Sequence, residues 1–434
     1  MTRLTISRAA PRVAAALLAL GALTGPPTLV AQSLASRIAA AGDGEVRMEF
    51  ATRPGVCGDA KDVVALNRTL YIYPSMESHG TWSGVRCQPG RARVAVITTA
   101  GQVERVRTYV GGTWSAPTGK VTDLGTVATK DVATYFFALA EKLDGRSARN
   151  SLLPAIVADS VDALPPLLRL AQNAGVARET RKRAVHWLGD LGDASMVKPL
   201  EQLAGADDND DGLGEAALFA LSELPDGAGI PSLIRFANSS RSDRFRGKAV
   251  FWLGQSDDKR AQAEVRAVAQ NDAVPVAVRE KAIFVIGQHD DASDADVAFL
   301  ESLFGKLQSE KLRDQVLFSV SQTDNANARR WLISVARDAS VPLEVRKKAI
   351  FWAGQGGTPV SELASLYDAL SAEELKEHMI FVLSQRDERA ATDKLLSIVR
   401  SDSDSRMRKK ALFWLALKDD PEITKVITNL VTKP

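Results

Sequence analysis

The sequence predicts a mainly α-helical protein, in which residues 146–434 form an α-solenoid of about eight two-helix repeats and residues 32–145 form a small α+β domain. One six-residue helical motif recurs through the second region with a spacing of 30 to 34 residues. The first region contains short runs of β-branched residues between turn residues instead. A fixed period near 33 residues excludes one globular core and indicates stacked units.

The composition is that of a folded chain and excludes several classes of protein. Of the 434 residues, 45% are hydrophobic and 25% are charged, which excludes a disordered or collagen-like chain. The net charge of +2 indicates no bulk attraction to nucleic acid or to a membrane surface. With two Cys and four His residues, the chain has too few ligands for a disulfide-rich scaffold or a His-rich metal site.

Residues 1–31 are predicted to be a secretory signal peptide. Three arginines precede an uncharged run at residues 13–23, and a Pro-Pro pair follows that run. Cleavage is expected after Ala31 or Ala35. The alternative is an uncleaved anchor, but the Pro-Pro pair interrupts the run well short of the ~20 residues that a span needs. We therefore expect a protein of the periplasm or the secreted fraction, with no membrane span after cleavage.

Cys57 and Cys87 are the only cysteines, and both lie among turn residues of the α+β domain. In an oxidising compartment, a pair of this kind forms a structural disulfide. A thiol redox site would favour Cys-x-x-Cys spacing, which is absent. We therefore predict a Cys57–Cys87 disulfide.

The α+β domain contains a predicted β-hairpin and a predicted helix. Residues 94–97 and 103–110 are rich in β-branched side chains, and Ala100 and Gly101 lie in the connection between them. Polar residues alternate with apolar ones in the second run, so one face of the hairpin is expected to be solvated. Residues 126–143 have helical spacing. We assign Trp82 and Trp114 to packing rather than to a binding cage.

The repeated motif marks the second helix of each unit. It reads Ala-Val-Phe-Trp-Leu-Gly from Ala249, and related sequences begin at Ala184, Ala217, Ala282, Val316, Ala349, Met379 and Ala411. An apolar column marks the first helix, at Leu167, Leu200, Leu233, Val265, Leu300, Leu332, Leu363, Leu395 and Ile427. The third motif position is Phe in every unit except the first, which has His186. We expect that column to form the core between units.

An arginine three residues before the motif, often with an Asp or Asn shortly before it, completes the pattern. The pattern resembles HEAT repeats, and it is most similar to the short variety related to the phycocyanobilin-lyase group. The resemblance covers residues 148–432 and implies that the second helices line a concave face. It also implies that these side chains form a ladder between neighbouring units, although Gly214 and Lys376 interrupt the arginine column. The ladder arginines are Arg181, Arg246, Arg279, Arg313, Arg346 and Arg408.

The resemblance raises the question of catalysis, since some HEAT-type proteins are di-iron hydroxylases and the lyase relatives handle pigments. Those hydroxylases hold metal with His-Glu pairs, but this sequence has no His-Glu dipeptide, and its histidines are scattered. No nucleophile with a neighbouring base is evident either. We therefore predict no catalytic residues and a protein that is not an enzyme. A lyase-like or metal-dependent enzyme of this group is the alternative.

Asp207, Asn209 and Asp211 precede Gly212 and resemble the opening of a calcium loop. Oxygen ligands on alternate residues suit Ca²⁺, but Leu218 stands where such a loop has its last acidic ligand. The alternative is a solvated linker whose carboxylates lie near a helix N-terminus. Calcium is the only cofactor that the sequence suggests.

Basic residues recur with the repeat and predict a positive stripe along one edge of the solenoid. The stripe comprises Lys182, Arg183, Arg244, Lys248, Lys347, Lys348, Lys409 and Lys410. Because export makes nucleic acid an unsuitable partner, we expect an acidic protein or peptide, or an anionic envelope polymer. The alternative is a solvated surface that binds nothing.

A glutamine follows the motif in five units, at Gln255, Gln288, Gln322, Gln355 and Gln385. This column indicates either hydrogen bonds between units or part of a binding surface. Together these features predict a non-catalytic protein-binding or scaffolding protein of the bacterial envelope, with its ligand on the concave face. A purely structural envelope spacer is a further alternative.

Mass spectrometry of the protein from its native host tests the export prediction. The mature chain is expected to begin at Gln32 or Ser36, because cleavage follows Ala31 or Ala35. A protein that retains Met1 in the membrane fraction would support the uncleaved anchor instead.

Overall fold

The computed structural model of the protein describes residues 32–66, 69–72, 77–78, 87–206, 212–239, 241–288 and 293–418, with Lys425 and Thr428. An N-terminal α+β region is followed by a long array of paired helices, which confirms the predicted fold class. Over these ranges, no helix is both long and apolar enough to cross a membrane.

The described residues form 19 α-helices and nine β-strands. The helices are α1 Leu34–Ala41, α2 Thr129–Lys142, α3 Gly145–Val157, α4 Leu164–Gln172, α5 Arg178–Leu191, α6 Val197–Ala206, α7 Leu213–Glu223, α8 Ile230–Ala237, α9 Asp243–Gly254, α10 Lys259–Gln270, α11 Val276–Gly287, α12 Asp294–Lys306, α13 Glu310–Ser321, α14 Ala326–Arg337, α15 Leu343–Gln355, α16 Val360–Ala369, α17 Glu373–Ser384, α18 Arg389–Ser401 and α19 Ser405–Ala416. The strands are β1 Gly44–Phe50, β2 Val56–Gly58, β3 Val63–Leu66, β4 Thr69–Ile72, β5 Glu77–Ser78, β6 Gln88–Pro89, β7 Ala92–Thr99, β8 Gln102–Val110 and β9 Val121–Thr126.

The strands form two sheets in the N-terminal region. The four-stranded sheet has the order β8-β7-β1-β9, with β9 parallel to β1 and the other pairs antiparallel. The five-stranded sheet has the order β5-β4-β3-β2-β6 and is antiparallel throughout. A disulfide joins Cys57 in β2 to Cys87, directly before β6.

Strands β7 and β8 form a tight hairpin at the predicted position. Thr99 pairs with Gln102, and the two residues between them, Ala100 and Gly101, have φ values of 51° and 73°. Two consecutive left-handed residues give a turn whose twist matches that of the flanking strands. Helices α1 and α3 contact this four-stranded sheet, whose apolar face joins the buried core.

The other face of this sheet is closed by stacked arginine and aromatic side chains. The guanidinium groups of Arg47 and Arg93 lie 4.8 and 5.0 Å from the ring centre of Trp114. Those of Arg93 and Arg107 lie 5.2 and 4.9 Å from the ring centre of Tyr109. Arg93 is 3% exposed, and its Nε donates to the Gly111 carbonyl at 2.9 Å. Trp114 therefore serves packing, while Trp82 lies outside the described residues.

Helices α4 to α19 form eight consecutive hairpins, each with a first helix and a second helix. The second helices are the odd-numbered helices from α5 to α19. Each packs against the second helix of the next unit, and together they form one layer. The first-helix column from Leu167 to Leu395 is buried in all eight units, with Val265 the most exposed at 2%. The first position of the second-helix motif is fully buried in all eight units. Ile427 lies outside the described residues.

Small residues at the sixth motif position allow neighbouring second helices to approach closely. A Cβ added at Gly254 would lie 2.3 Å from Val285 Cγ2, and one added at Gly354 would lie 2.3 Å from Val382 Cγ1. Both valines belong to the next unit, at the fourth motif position. Any side chain at these glycines would therefore require the facing valine to shift or the two helices to separate.

Helices α2 and α3 form an additional hairpin that joins the two regions. They pack against each other, and each also contacts its counterpart in the first unit, α4 and α5 respectively. The same α3 contacts β7 and β8, and Thr52 forms an isolated β-bridge with Ala158. Helix α3 thus has a partner helix, so a complete hairpin precedes the first unit of the array. The predicted boundary at residue 145 lies where α3 begins.

Replacing both cysteines by serine is expected to lower the free energy of unfolding of the N-terminal region by about 3 kcal/mol, because the disulfide joins residues 30 positions apart and restricts the unfolded chain. Urea unfolding of the double variant and of the oxidised wild type measures this difference. Dithiothreitol should reduce the stability of the wild type alone. Equal stability of the wild type and the double variant in the absence of dithiothreitol would contradict the prediction.

Candidate functional site

Four of the predicted ladder arginines cap the first helix of their own unit. Their Nε atoms donate to carbonyl oxygens at the ends of α4, α8, α10 and α14, over distances of 2.9 to 3.1 Å. These carbonyls have no donor within the helix and lie at the negative end of its dipole, so a cation stabilises them. The resemblance implied links between units, but the described hydrogen bonds of these residues lie within a unit. The four are Arg181, Arg246, Arg279 and Arg346.

The other two ladder arginines have different environments. Arg408 Nη1 donates to the backbone oxygen of Asp402 at 2.6 Å, which again caps the first helix of its own unit. The guanidinium of Arg313 lies 5.7 Å from the ring centre of Phe304. All six arginines therefore contact groups of their own unit, as expected of side chains that stabilise the fold.

At the two interruptions of the arginine column, side chains from other positions of the repeat make the contacts at the helix end or between units. Arg241, from the following unit, donates from Nη1 to the Gly205 carbonyl at 2.9 Å, at the end of α6. At the second interruption, the ammonium of Lys376 lies 5.1 Å from the ring centre of Tyr367. The hydroxyl of Tyr367 donates to Asp402 Oδ2 of the next unit at 2.6 Å. Links between units thus occur at both interruptions of the column.

The predicted basic stripe is largely neutralised by carboxylates. Lys182 and Lys347 pair with Glu179 and Glu344 of their own helices, at 3.4 and 2.8 Å. Four other members pair with carboxylates of the preceding unit at 3.1 to 3.5 Å: Arg244 and Lys248 with Glu215, Lys348 with Asp314, and Lys410 with Glu377. The remaining two, Arg183 and Lys409, are half-buried and exposed, respectively.

These ion pairs correct the expectation of a continuous positive surface. Glu215, Asp314 and Glu377 occupy a single column of the repeat, two residues before the motif. Each carboxylate therefore lies opposite a basic side chain in the next unit. The exposed edge alternates in sign, and it offers an acidic partner no extended field.

The third motif position lies at the partly exposed edge of the core, on the second-helix layer, and not fully within the core as predicted. Its side chains form what we call the aromatic row: His186, Phe219, Phe251, Phe284, Phe318, Phe351, Phe381 and Phe413. Seven of them are half-buried, and Phe413 is 55% exposed. The first and fifth positions, one helical turn apart, face the core instead. Position three points about 200° away from position one.

Rings of the aromatic row still contact aromatic side chains of the neighbouring unit. Phe219, Phe318 and Phe381 each pack against a tryptophan at the fourth position of the next unit, with ring centres 4.8 to 5.3 Å apart. Phe284 stacks on Phe318 at 6.2 Å, and the ammonium of Lys281 lies within 6 Å of both Phe251 and Phe284. The row therefore continues through six units, from His186 to Phe351, with one side open to solvent.

The glutamine column lies on the same helix face as the aromatic row. Each glutamine follows the third motif position by four residues, which places it one turn further along the helix. All five side chains are exposed. Gln322 and Gln385 donate to serine hydroxyls directly before them, at 3.1 and 3.2 Å, and not to another unit. These contacts favour the surface alternative over hydrogen bonds between units.

A separate groove of about 890 Å³ lies between α2 and α4 at the junction of the two regions. Phe137 and Leu170 line it, with Lys130 and Arg169 among its charged side chains. At one end, Asn173 Nδ2 donates to Glu141 Oε1 at 3.0 Å. No pattern in the sequence indicated this groove, because helices of two different regions form it.

The calcium candidate at Asp207, Asn209 and Asp211 lies outside the described residues. Across the part of the chain that the structure describes, no three His, Cys, Asp or Glu side chains cluster as metal ligands would. The cysteines form the disulfide. The described residues thus bring together no metal-binding group of this kind.

Two histidines lie on the second-helix layer in apolar surroundings. Burial, together with the nearby charges of Arg183 and Lys182, lowers the pKa of His186 to about 4. Its ring lies 5.0 Å from that of Phe219. Burial also lowers the pKa of His378, whose ring lies 5.9 Å from that of Phe381. Both imidazoles are therefore neutral at pH 7 and act as aromatic packing groups.

Replacing His186 by Phe is expected to make the fold less sensitive to acid. Below its ordinary pKa of 6.5, the unfolded imidazole binds a proton, whereas the folded one stays neutral to about pH 4. The unfolded state therefore binds more protons in this window, so wild-type stability falls as the pH is lowered. The fall is at most about 3 kcal/mol. Denaturant unfolding of both proteins between about pH 7 and pH 4 should give diverging stabilities. Parallel pH dependences would contradict this prediction.

Comparisons with known proteins find distant matches among solved structures. No protein-family model and no curated protein matches the chain. Human deoxyhypusine hydroxylase in complex with glycerol is 16% identical over 58% of this chain and 94% of its own, with a TM-score of 0.26. The complex of CpcE and CpcF of phycocyanin lyase from Nostoc sp. PCC7120 is 18% identical over 58% and 92%, with a TM-score of 0.29. Lipovitellin is 10% identical over 87% and 45%, with a TM-score of 0.45. Likenesses this distant carry no argument about what this chain binds or catalyses.

Proposed function

We propose that this chain is a non-catalytic protein-binding or scaffolding protein of the bacterial envelope. Its partner, a protein or peptide segment, lies on the second-helix face of the solenoid. The observation that carries the proposal is the aromatic row, which runs through six units with one side in solvent. Half-buried aromatic side chains in a continuous row are what a protein partner covers at an interface core.

The polar groups around the aromatic row support the same proposal. The exposed glutamines add donors and acceptors beside the rings, and such groups fix the register of a bound chain. The flanking charges pair with one another, so the surface can be covered without leaving many unpaired ions. An interface of this type needs neither a cofactor nor a metal.

The proposed location rests on the sequence of residues 1–31 and on the disulfide. An apolar run after three arginines is typical of an exported protein. A disulfide between the chain's only two cysteines is consistent with an oxidising compartment. The periplasm and the extracellular space both meet these requirements.

A photoreactive amino acid placed at Gln322 tests the proposed face. Because Gln322 lies exposed beside Phe318, irradiation in the native host should crosslink this position to a partner. The matched control is Gln270, an exposed glutamine at the end of the first helix α10. Gel shift and mass spectrometry of the crosslinked product measure the yield at both positions. We expect a yield at Gln322 about tenfold above that at Gln270.

A second position separates the alternatives. Thr134, in the groove between α2 and α4, reports on partners of the N-terminal region. Crosslinks from Thr134 or Gln270 without any from Gln322 would move function away from the second-helix face. No crosslink at any position would favour a purely structural spacer.

A further inference from the structure

We propose that the groove between α2 and α4 binds a small amphiphile that has an apolar chain and one anionic head group. The proposed protein partner lies on the second-helix face and leaves this groove unused, because α2 and α4 are first helices of their hairpins. The chain therefore has a second site, separate from that face.

Hydrogen bonds fix both ends of this groove. The backbone N–H of Arg53 donates to the Val157 carbonyl at 2.9 Å, and that of Asp159 donates to the Ala51 carbonyl at 3.0 Å. Arg53 Nη2 also donates to the Val161 carbonyl at 2.6 Å. These bonds hold the loop before α4 against the N-terminal region, and the side-chain bond between α2 and α4 described above holds the other end. The groove is therefore preformed, as ligand sites usually are.

The floor of the groove is apolar and recessed. Phe137 and Leu170 are its largest apolar side chains, and only 8% and 4% of their surfaces are exposed. Val161 and Pro166 also line the groove and are half-buried. Its volume of about 890 Å³ lies within the range of about 300–1,000 Å³ that is typical of small-molecule sites. The groove therefore has the size and the lining of such a site.

The recessed floor favours a slender ligand over a protein segment. A stable protein interface buries about 800 Å² on each partner and depends on apolar surface that solvent reaches before binding. Here the largest apolar side chains are already buried, so a partner helix about 10 Å across could cover little further apolar surface. An alkyl chain can instead enter the groove and bury its own apolar surface there.

The charges of the lining residues select the head group. Both carboxylates already accept hydrogen bonds, Glu141 from α4 and Asp162 from the backbone N–H of Leu164 at 3.2 Å. Lys130 and Arg169 lie on opposite walls, on α2 and α4, and the described part of the chain provides neither with an ion pair or a side-chain hydrogen bond. An anionic head group supplies the partner that these cations lack, and a guanidinium can bind it through two parallel hydrogen bonds.

Isothermal titration calorimetry with the mature full-length protein tests this site. The two probes are laurate and dodecyl phosphate, which share one chain and differ in the anionic head group. Dodecyltrimethylammonium is the control with the same chain and a cationic head, and butyrate is the control with an anionic head and a much shorter chain. Below micelle-forming concentrations, we expect at least one probe to bind at least about tenfold more tightly than either control. The tighter probe identifies the head group.

Variants of the protein then locate the binding. Arg169→Gln should weaken binding of the tighter probe by about tenfold, because a charge-assisted hydrogen bond is lost. Arg235→Gln is the matched control and should bind like the wild type, since Arg235 has the same place in the repeat on α8 and lies outside the groove. Ala138→Trp fills the groove from an exposed position and should abolish binding. Unchanged circular dichroism spectra and melting temperatures show that the variants are folded.

Several results would overturn this proposal. They are wild-type affinity in Ala138→Trp or Arg169→Gln, no binding of either probe, or binding of dodecyltrimethylammonium as tight as that of the probes. A protein crosslinked at Thr134 in the native host would also overturn it, because a protein segment would then occupy the groove. None of these results depends on Gln322, so the proposed function is tested separately.

Discussion

The array depends on one constraint: each two-helix unit has more apolar surface than it can bury by itself. The first-helix column and the first motif position are buried in every described unit, and that burial requires a neighbour. The close approach at Gly254 and Gly354 is part of the same constraint, because a methyl group there would clash with a valine of the next second helix. The hairpin of α2 and α3 supplies the neighbour for the first unit and ties the array to the sheet.

Stacking of this kind also decides the surroundings of the polar side chains. Helix ends recur at one level along the array, so their carbonyl groups need a donor in each unit, and arginine Nε supplies it in four of them. Charged side chains recur in columns, and columns of opposite sign lie side by side in adjacent units. The pairing that results leaves the aromatic row as the most distinctive exposed feature of the second-helix layer.

The sequence predicted the repeat, its two helices and the hairpin because each depends on local periodicity. It did not predict the surface position of Phe284 and Phe318. A residue that recurs in every unit is equally consistent with a core column and with a surface column, and apolar character alone favours the core. The pairing of Lys348 with Asp314 could have been predicted, since the two columns are adjacent in the repeat. The basic stripe resulted from reading the lysines without the carboxylates of the preceding unit.

The sequence by itself determined the number of units, the helical class and the two cysteines available for a disulfide. These follow from spacing and from residue counts, which need no knowledge of neighbours in space. Only the tertiary structure decided which side of each second helix faces solvent, which carbonyls the arginines cap, and that α2 pairs with α3. Each of these depends on contacts between segments distant in the chain, and the orientation of one unit on the next cannot be read from a period.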